Sequence, residues 1–179
     1  MNEVMRQEKK YAINLADGSY LRARLGGVMI QDAHNGASGY AIRSLYFDTL
    51  DDQDFKEKID GLELRRKVRL RIYSPDADSA KLEIKQKQGP YQKKRSLQIT
   101  REDALLLCQG NYSPLLRYRD PFAAECYGLM TCRCYRPEAI VEYRRQAYIA
   151  KENQIRLTLD SQIAATESCY DLFSPRLPL

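Results

Sequence analysis

Successive side chains of a β-strand point to opposite faces, so residues two apart share one. Four stretches of this chain keep that alternation, and the charge on their polar faces narrows the folds open to it. Across residues 63–73, Val68, Leu70 and Ile72 fall on one face and Lys67, Arg69 and Arg71 on the other. Across 80–87, Leu82 and Ile84 oppose Lys81, Glu83, Lys85 and Lys87. Across 154–160, Ile155, Leu157 and Leu159 oppose Arg156, Thr158 and Asp160, and near the N-terminus Arg6, Glu8 and Lys10 share a face. These faces carry nine cations against three carboxylates, although the net charge of the whole chain is only +5. The excess is one of placement rather than of total charge.

Alternation ordinarily marks a one-sided sheet, apolar face on helices and polar face in water. A solvated face mixes signs, however, because like charges repel across neighbouring strands. A polyanion neutralises such a surface, since phosphate oxygens accept charge-assisted hydrogen bonds from Arg and Lys. Both arrangements remain open: a sheet with its charged face in water, or one curled with that face inward and helices outside. The pattern is less regular across 92–99. There Lys93 and Arg95 share a face with Leu97 and Ile99, with Lys94 between them, and a one-residue shift reverses the assignment.

The rest of the chain supplies the covering elements. Residues 4–13 read as the first strand, and Leu21, Leu25 and Val28 have helical spacing within 19–29. A strand at 41–48 and a short charged helix at 51–59 follow. Ser74-Pro75-Asp76 and Gly89-Pro90 punctuate the three strands 63–73, 80–87 and 92–99, which makes an antiparallel meander. Thr100 caps a helix through Leu107 that Gly110 stops. Asp120-Pro121 opens another, with Phe122, Cys126 and Met130 on one face. Strands at 139–148 and 154–160 come next, and residues 170–179 form no clear element. No repeat or linker divides the chain, so residues 1–179 read as one α+β domain.

Several chemistries are excluded early. The single histidine, His34, lies in the polar loop Asp32-Ala33-His34-Asn35-Gly36, so serine–histidine or cysteine–histidine catalysis has no base. Cys108, Cys126, Cys132, Cys134 and Cys169 lack zinc-ligand spacing and are odd in number, which favours a reducing cytoplasm. No apolar run reaches the length of a membrane span, and the N-terminus lacks a signal-peptide core. Arg65-Arg66-Lys67 is basic, but on a strand its side chains point both ways. Without a recognition helix or an RNA-binding aromatic motif, no nucleic-acid partner is expected.

Seven segments, in order, resemble the VTC domain, the polyphosphate polymerase branch of the CYTH-like triphosphate tunnel metalloenzymes. They are Arg6-Gln7-Glu8-Lys9-Lys10-Tyr11, Ser44-Leu45-Tyr46-Phe47-Asp48-Thr49, Lys67-Val68-Arg69-Leu70-Arg71-Ile72-Tyr73, Leu82-Glu83-Ile84-Lys85, Lys93-Lys94-Arg95, Tyr143-Arg144-Arg145-Gln146-Ala147-Tyr148 and Ile155-Arg156-Leu157-Thr158-Leu159-Asp160. The resemblance implies a barrel-like antiparallel β tunnel with basic residues inside and helices packed outside. It implies an enzyme that moves the γ-phosphate of ATP onto a polyphosphate chain with a divalent metal, manganese or magnesium. Residue by residue, it makes Lys10, Arg69, Arg71, Lys85, Lys93, Arg95, Arg145 and Arg156 the phosphate ligands, and Lys10, Arg69, Arg71, Lys85, Arg145 and Arg156 the catalytic set. Tyr46, Asp48, Tyr143 and Tyr148 read as wall residues.

The family's pattern continues with a Glu-x-Lys strand beyond the point where this sequence stops. The tunnel is therefore expected to be incomplete at its C-terminus, with Glu8 and Glu83 as the remaining metal candidates. Unpaired edges of such a sheet invite association with a second copy. The location expected is cytoplasmic, with no membrane insertion by this chain and a membrane partner protein for export of the product. Two other functions stay open: a hydrolase of triphosphate or nucleoside triphosphate, and a non-catalytic module binding polyphosphate or inositol phosphate.

Overall fold

The computed structural model describes residues 2–153 and 155–178, residues 2–6 by their backbone alone. In chain order the elements are β1 (Asn2–Gln7), α1 (Leu15–Val28), β2 (Ile30–Gln31), β3 (Tyr40–Asp48), α2 (Gln53–Ile59), β4 (Leu64–Ile72), β5 (Ser79–Gln88) and β6 (Tyr91–Thr100). They continue with α3 (Arg101–Cys108), a 3-10 helix (Ser113–Arg117), α4 (Pro121–Cys132), β7 (Arg136–Ile149) and β8 (Arg156–Thr166). The fold is α+β on antiparallel strands. Its residues gather into two compact units: Met1–Glu8 with Arg43–Val141 and Ala165–Leu179, and Lys9–Ile42 with Glu142–Ala164.

In the first unit the strands run in the order β1-β6-β5-β4-β3, each pair antiparallel. The meander β4–β5–β6 stands where turn chemistry put it. At its second turn Gly89 has φ 56°. Only the first central position of a tight type II′ hairpin turn needs a positive φ, and the following Pro90 has its φ fixed negative.

Register decides what each face contains. Leu70 stands opposite Leu82, which stands opposite Leu97, and Val68 opposite Ile84. Leu70, Leu82, Val68 and Ile84, with Leu45, Phe47, Ile72, Ala80 and Ile99, are buried against Leu107, Leu115, Phe122, Ala123, Cys126 and Met130 of the helical layer, and the half-buried Leu97 packs against them. Each fully buried Leu, Ile or Val contributes roughly 1.5–3 kcal/mol relative to exposure. The helices start where their caps dictate. The Thr100 hydroxyl accepts the Asp103 N–H at 3.2 Å, and the Asp120 carboxylate accepts the Phe122 N–H at 2.9 Å, with Pro121 leading α4.

The C-terminal tail, which sequence left without an element, packs without regular structure. Leu172 and Phe173 are buried in this same core. Arg43, on the apolar face opposite Ile72, donates to the carbonyls of Leu172 and Ser174 at 3.1 and 2.5 Å. Arg101 lays its guanidinium over Phe173, 4.4 Å from the ring centroid. Asp48 also has a definite task. Its carboxylate accepts the N–H groups of Thr49, Asp54 and Phe55 at 2.7–2.9 Å, capping α2 from the end of β3. No helix among the described residues is long and apolar enough to cross a membrane.

The N-terminal strand and the second unit depart further from expectation. The strand expected over residues 4–13 ends at Gln7, so Glu8 and Lys10 follow the ladder rather than extend it. α1 begins at Leu15, capped by Asn14, whose side chain accepts the Asp17 N–H at 2.8 Å. Of its expected stripe only Leu25 is buried, while Val28 is exposed. The strand expected at 154–160 is β8, longer at its far end, and Gln154 lies outside the described residues. β2 and β8 both pair with β7. Asn35 clamps the Ala147 backbone, donating to its carbonyl at 2.7 Å and accepting its N–H at 3.0 Å.

Gly39 lets the chain pass this point. Its φ is +82°, and a Cβ there would lie 2.3 Å from the Arg145 carbonyl oxygen. Backbone blocks backbone, so no rotamer change relieves the contact. Gly39→Ala is expected to destabilise the protein by roughly 2 kcal/mol or more, measured by denaturant unfolding. A variant as stable as the wild type contradicts this packing.

Candidate functional site

The basic face is organised around a carboxylate with no water. Glu83, on β5, is 0% exposed. Arg69, directly opposite on β4, presents Nε and Nη2 to the same Glu83 oxygen, Oε2, at 2.8 and 2.7 Å. Lys94, from β6, reaches the other oxygen at 2.6 Å, and Arg71 Nη1 stands 3.8 Å from Oε2. Ser44 on β3 accepts from Arg71 Nε at 3.2 Å, and Tyr46 accepts from Arg69 Nη1 at 3.1 Å. Burial alone would raise the Glu83 pKa. The charges of Arg69 and Arg71 and the Lys94 hydrogen bond outweigh it, and the carboxyl titrates at about 2. Glu83 is anionic throughout the physiological range.

Several cations gather about this carboxylate. The register sets Lys67, Lys85 and Lys94 side by side across β4, β5 and β6. Lys85 pairs with Glu8 at 2.5 Å. Lys67, Arg69, Arg71, Lys85 and Lys94 thus share one face with Glu83. A row of like charges across three strands is unfavourable on its own. An anion carrying several oxygens would convert that repulsion into charge-assisted hydrogen bonds.

Lys93 and Arg95 are not on this face, which corrects the expectation for both. Lys93 stands opposite Gln86 and Arg95 opposite Ile84, the side on which the helices pack. Arg95 forks onto Glu125 of α4 at 2.5 and 2.6 Å, and its guanidinium lies 5.0 Å from the Phe122 ring centroid. It ties α4 to the sheet. The residue that faces the cluster instead is Lys94. Its signal was in the sequence: Lys93 and Arg95 share parity with Leu97 and Ile99, and that parity is what β6 obeys.

The remaining expected ligands lie in the second unit. Arg145 forks onto Asp160 at 2.6 and 2.7 Å and stacks on Tyr143, 5.3 Å from its centroid. Burial works against its charge, but the Asp160 hydrogen bonds more than compensate and raise its pKa. Arg156 pairs with Asp32 at 2.8 Å and donates to the Tyr40 hydroxyl at 3.1 Å. Asp32 is held below the usual carboxylate range, first by the His34 backbone N–H, then by the His34 side chain, with Arg156 adding a smaller charge effect. Lys10 is exposed.

The donors for a protein-held divalent ion do not assemble. Both Glu83 oxygens are taken by Arg69 and Lys94, and Glu8 is paired with Lys85. No group of three His, Cys, Asp or Glu side chains that could hold a metal gathers among the described residues. Hard cations need several oxygen ligands, so Glu8 and Glu83 do not fit the metal role expected of them.

A family model, the VTC domain, matches residues 5–174. Among curated proteins none matches. Among solved structures, a protein of Bacillus halodurans named as a candidate adenylate cyclase shares 11% identity at a TM-score of 0.51. The alignment covers 89% of this chain and 79% of that one. At that identity the likeness speaks to the fold alone.

Glu83 titrates near 4.5 when unfolded and near 2 when folded, so its stabilisation is complete above about pH 4.5 and is lost as pH falls toward 2. Glu83→Gln is expected to cost roughly 3 kcal/mol at pH 7, by leaving Arg69, Arg71 and Lys94 without their counter-charge. The gap to wild type should narrow as acid is added. A gap constant from pH 7 to pH 2.5 contradicts the assigned ionisation.

Proposed function

Because the chain belongs to the VTC domain family, we propose that the basic face of β4, β5 and β6 binds condensed phosphate and that the protein transfers the γ-phosphoryl group of ATP onto a polyphosphate chain. The observation that carries this reading is the Lys67–Lys85–Lys94 row beside the Glu83 cluster. In the transfer a terminal oxygen of the chain forms a bond to the γ-phosphorus while the bond to the β–γ bridging oxygen breaks, and ADP leaves. The attacking oxygen is already anionic, so no general base is required. What the reaction needs from protein is alignment and neutralisation of charge on the phosphate oxygens.

Arg69 and Arg71 supply directed, planar donors, and Lys67, Lys85 and Lys94 supply adaptable point charges along the chain. Glu83 fixes Arg69 and Lys94 before any ligand arrives. In the second unit, Arg145 and Arg156 are proposed phosphate ligands that exchange Asp160 and Asp32 for phosphate oxygens, and exposed Lys10 is a third. A divalent ion enters this reading as a chelate carried by the phosphates themselves. Cytoplasmic residence, where ATP is available, and a membrane partner that exports the product belong to the same proposal.

The test is chain growth from ATP and a short polyphosphate primer, followed by gel electrophoresis with magnesium or manganese present. Wild type is expected to lengthen the primer and release ADP, and Arg71→Ala to lose about a hundredfold of that rate. Orthophosphate release without chain growth would make the protein a hydrolase. Tight polyphosphate binding without turnover would make it a binding module. Failure to bind tripolyphosphate at all would remove the phosphate reading of this face.

A further inference from the structure

Tyr46 stands on β3 opposite Arg69, on the face that also carries Ser44, Arg71 and Glu83. Its hydroxyl oxygen accepts from Arg69 Nη1 at 3.1 Å, and the Arg69 guanidinium carbon lies 5.8 Å from the ring centroid. A phenol that accepts one hydrogen bond still has a hydrogen of its own to donate. Among the described residues, the bond from Arg69 is the only hydrogen bond at this hydroxyl. The carboxylate of this network, Glu83, already has both oxygens engaged by Arg69 and Lys94.

We propose that Tyr46 donates its phenolic hydrogen to a non-bridging oxygen of the phosphate chain bound on this face. This rests on the phosphate-binding reading given above. Arg69, Arg71 and Lys67 of β4 act electrostatically on this phenol, and an anion held by the same cations would supply its acceptor. Burial opposes ionisation of Tyr46, yet Arg69, Arg71 and Lys67 together outweigh that effect and hold the phenol below its ordinary pKa. A more acidic phenol is a stronger donor. Tyr46 adds direction without charge, whereas Arg71 and Lys94 add charge.

That difference gives the test. Tripolyphosphate binding is measured by calorimetry over a series of sodium chloride concentrations for wild type, Tyr46→Phe and Arg71→Ala. Removing a cation removes a released counter-ion and flattens the dependence of affinity on salt; removing a neutral donor does not. Tyr46→Phe keeps the ring beneath Arg69 and is expected to bind about tenfold more weakly at every salt concentration, parallel to wild type. Arg71→Ala is expected to give a shallower slope. Equal affinity in Tyr46→Phe overturns the proposal. So does a flattened slope in that variant, which would mean that the phenol acts only by placing Arg69. If wild type itself binds no tripolyphosphate, the phosphate reading of the whole face falls and this assignment falls with it.

Discussion

Taking a carboxylate out of water costs several kcal/mol unless cations and hydrogen bonds replace the lost hydration. Glu83 meets that condition with partners from both flanking strands: Arg69 and Arg71 on β4, and Lys94 on β6. The constraint works in both directions. Glu83 can be buried only if these cations converge on it, and they can sit side by side only because Glu83 lies between them. Three strands are thereby held in one register by charge on one face and by Leu70, Leu82 and Leu97 on the other. A shift of one residue would set Leu against the cluster and Arg against the core, which makes the register strongly specified.

The cluster is a counter-charged scaffold rather than a neutral one. Its surplus of cations costs folding free energy, and the apolar face compensates. There the helices α3 and α4, the 3-10 helix and the docked Leu172 and Phe173 bury a continuous core. The polar contacts on that side are structural: Arg95 on Glu125 and Arg43 on the tail carbonyls. The sheet therefore separates two uses of arginine. On one face guanidinium groups finish the packing; on the other they converge with lysines on a single buried carboxylate. Only the second is suited to a ligand.

Most of the first unit was legible from residue pattern. Alternation gave β4 and β5, turn residues gave the meander, and Thr100 and Asp120 marked the helix starts. The family motif points to Lys93 and Arg95, whereas the parity of Leu97 and Ile99 fixes which way β6 faces and turns Lys94 to the cluster. The end of β1 at Gln7 was not legible, since nothing in Glu8-Lys9-Lys10 stops a strand locally. Nor was the tail: its order comes from Arg43 and Arg101, far away in sequence. In the second unit, Leu21, Leu25 and Val28 predicted a buried stripe that α1 largely leaves open. Helical spacing reports which residues share a face, and not whether another element covers it. The pairing of Arg145 with Asp160 and of Arg156 with Asp32 likewise depends on tertiary approach and has no sequence signature.

The proposed function requires phosphate to meet the Glu83 face of the sheet and not the helix-covered one. Adjacent residues on β6 point to opposite sides, so two neighbouring substitutions separate the faces. Tripolyphosphate affinity and melting temperature would be measured together for Lys94→Ala and Arg95→Ala. Lys94→Ala is expected to weaken binding, and Arg95→Ala to keep near-wild-type binding with a lower melting temperature. Binding lost with Arg95→Ala and kept with Lys94→Ala, each variant being folded, would contradict the proposed function.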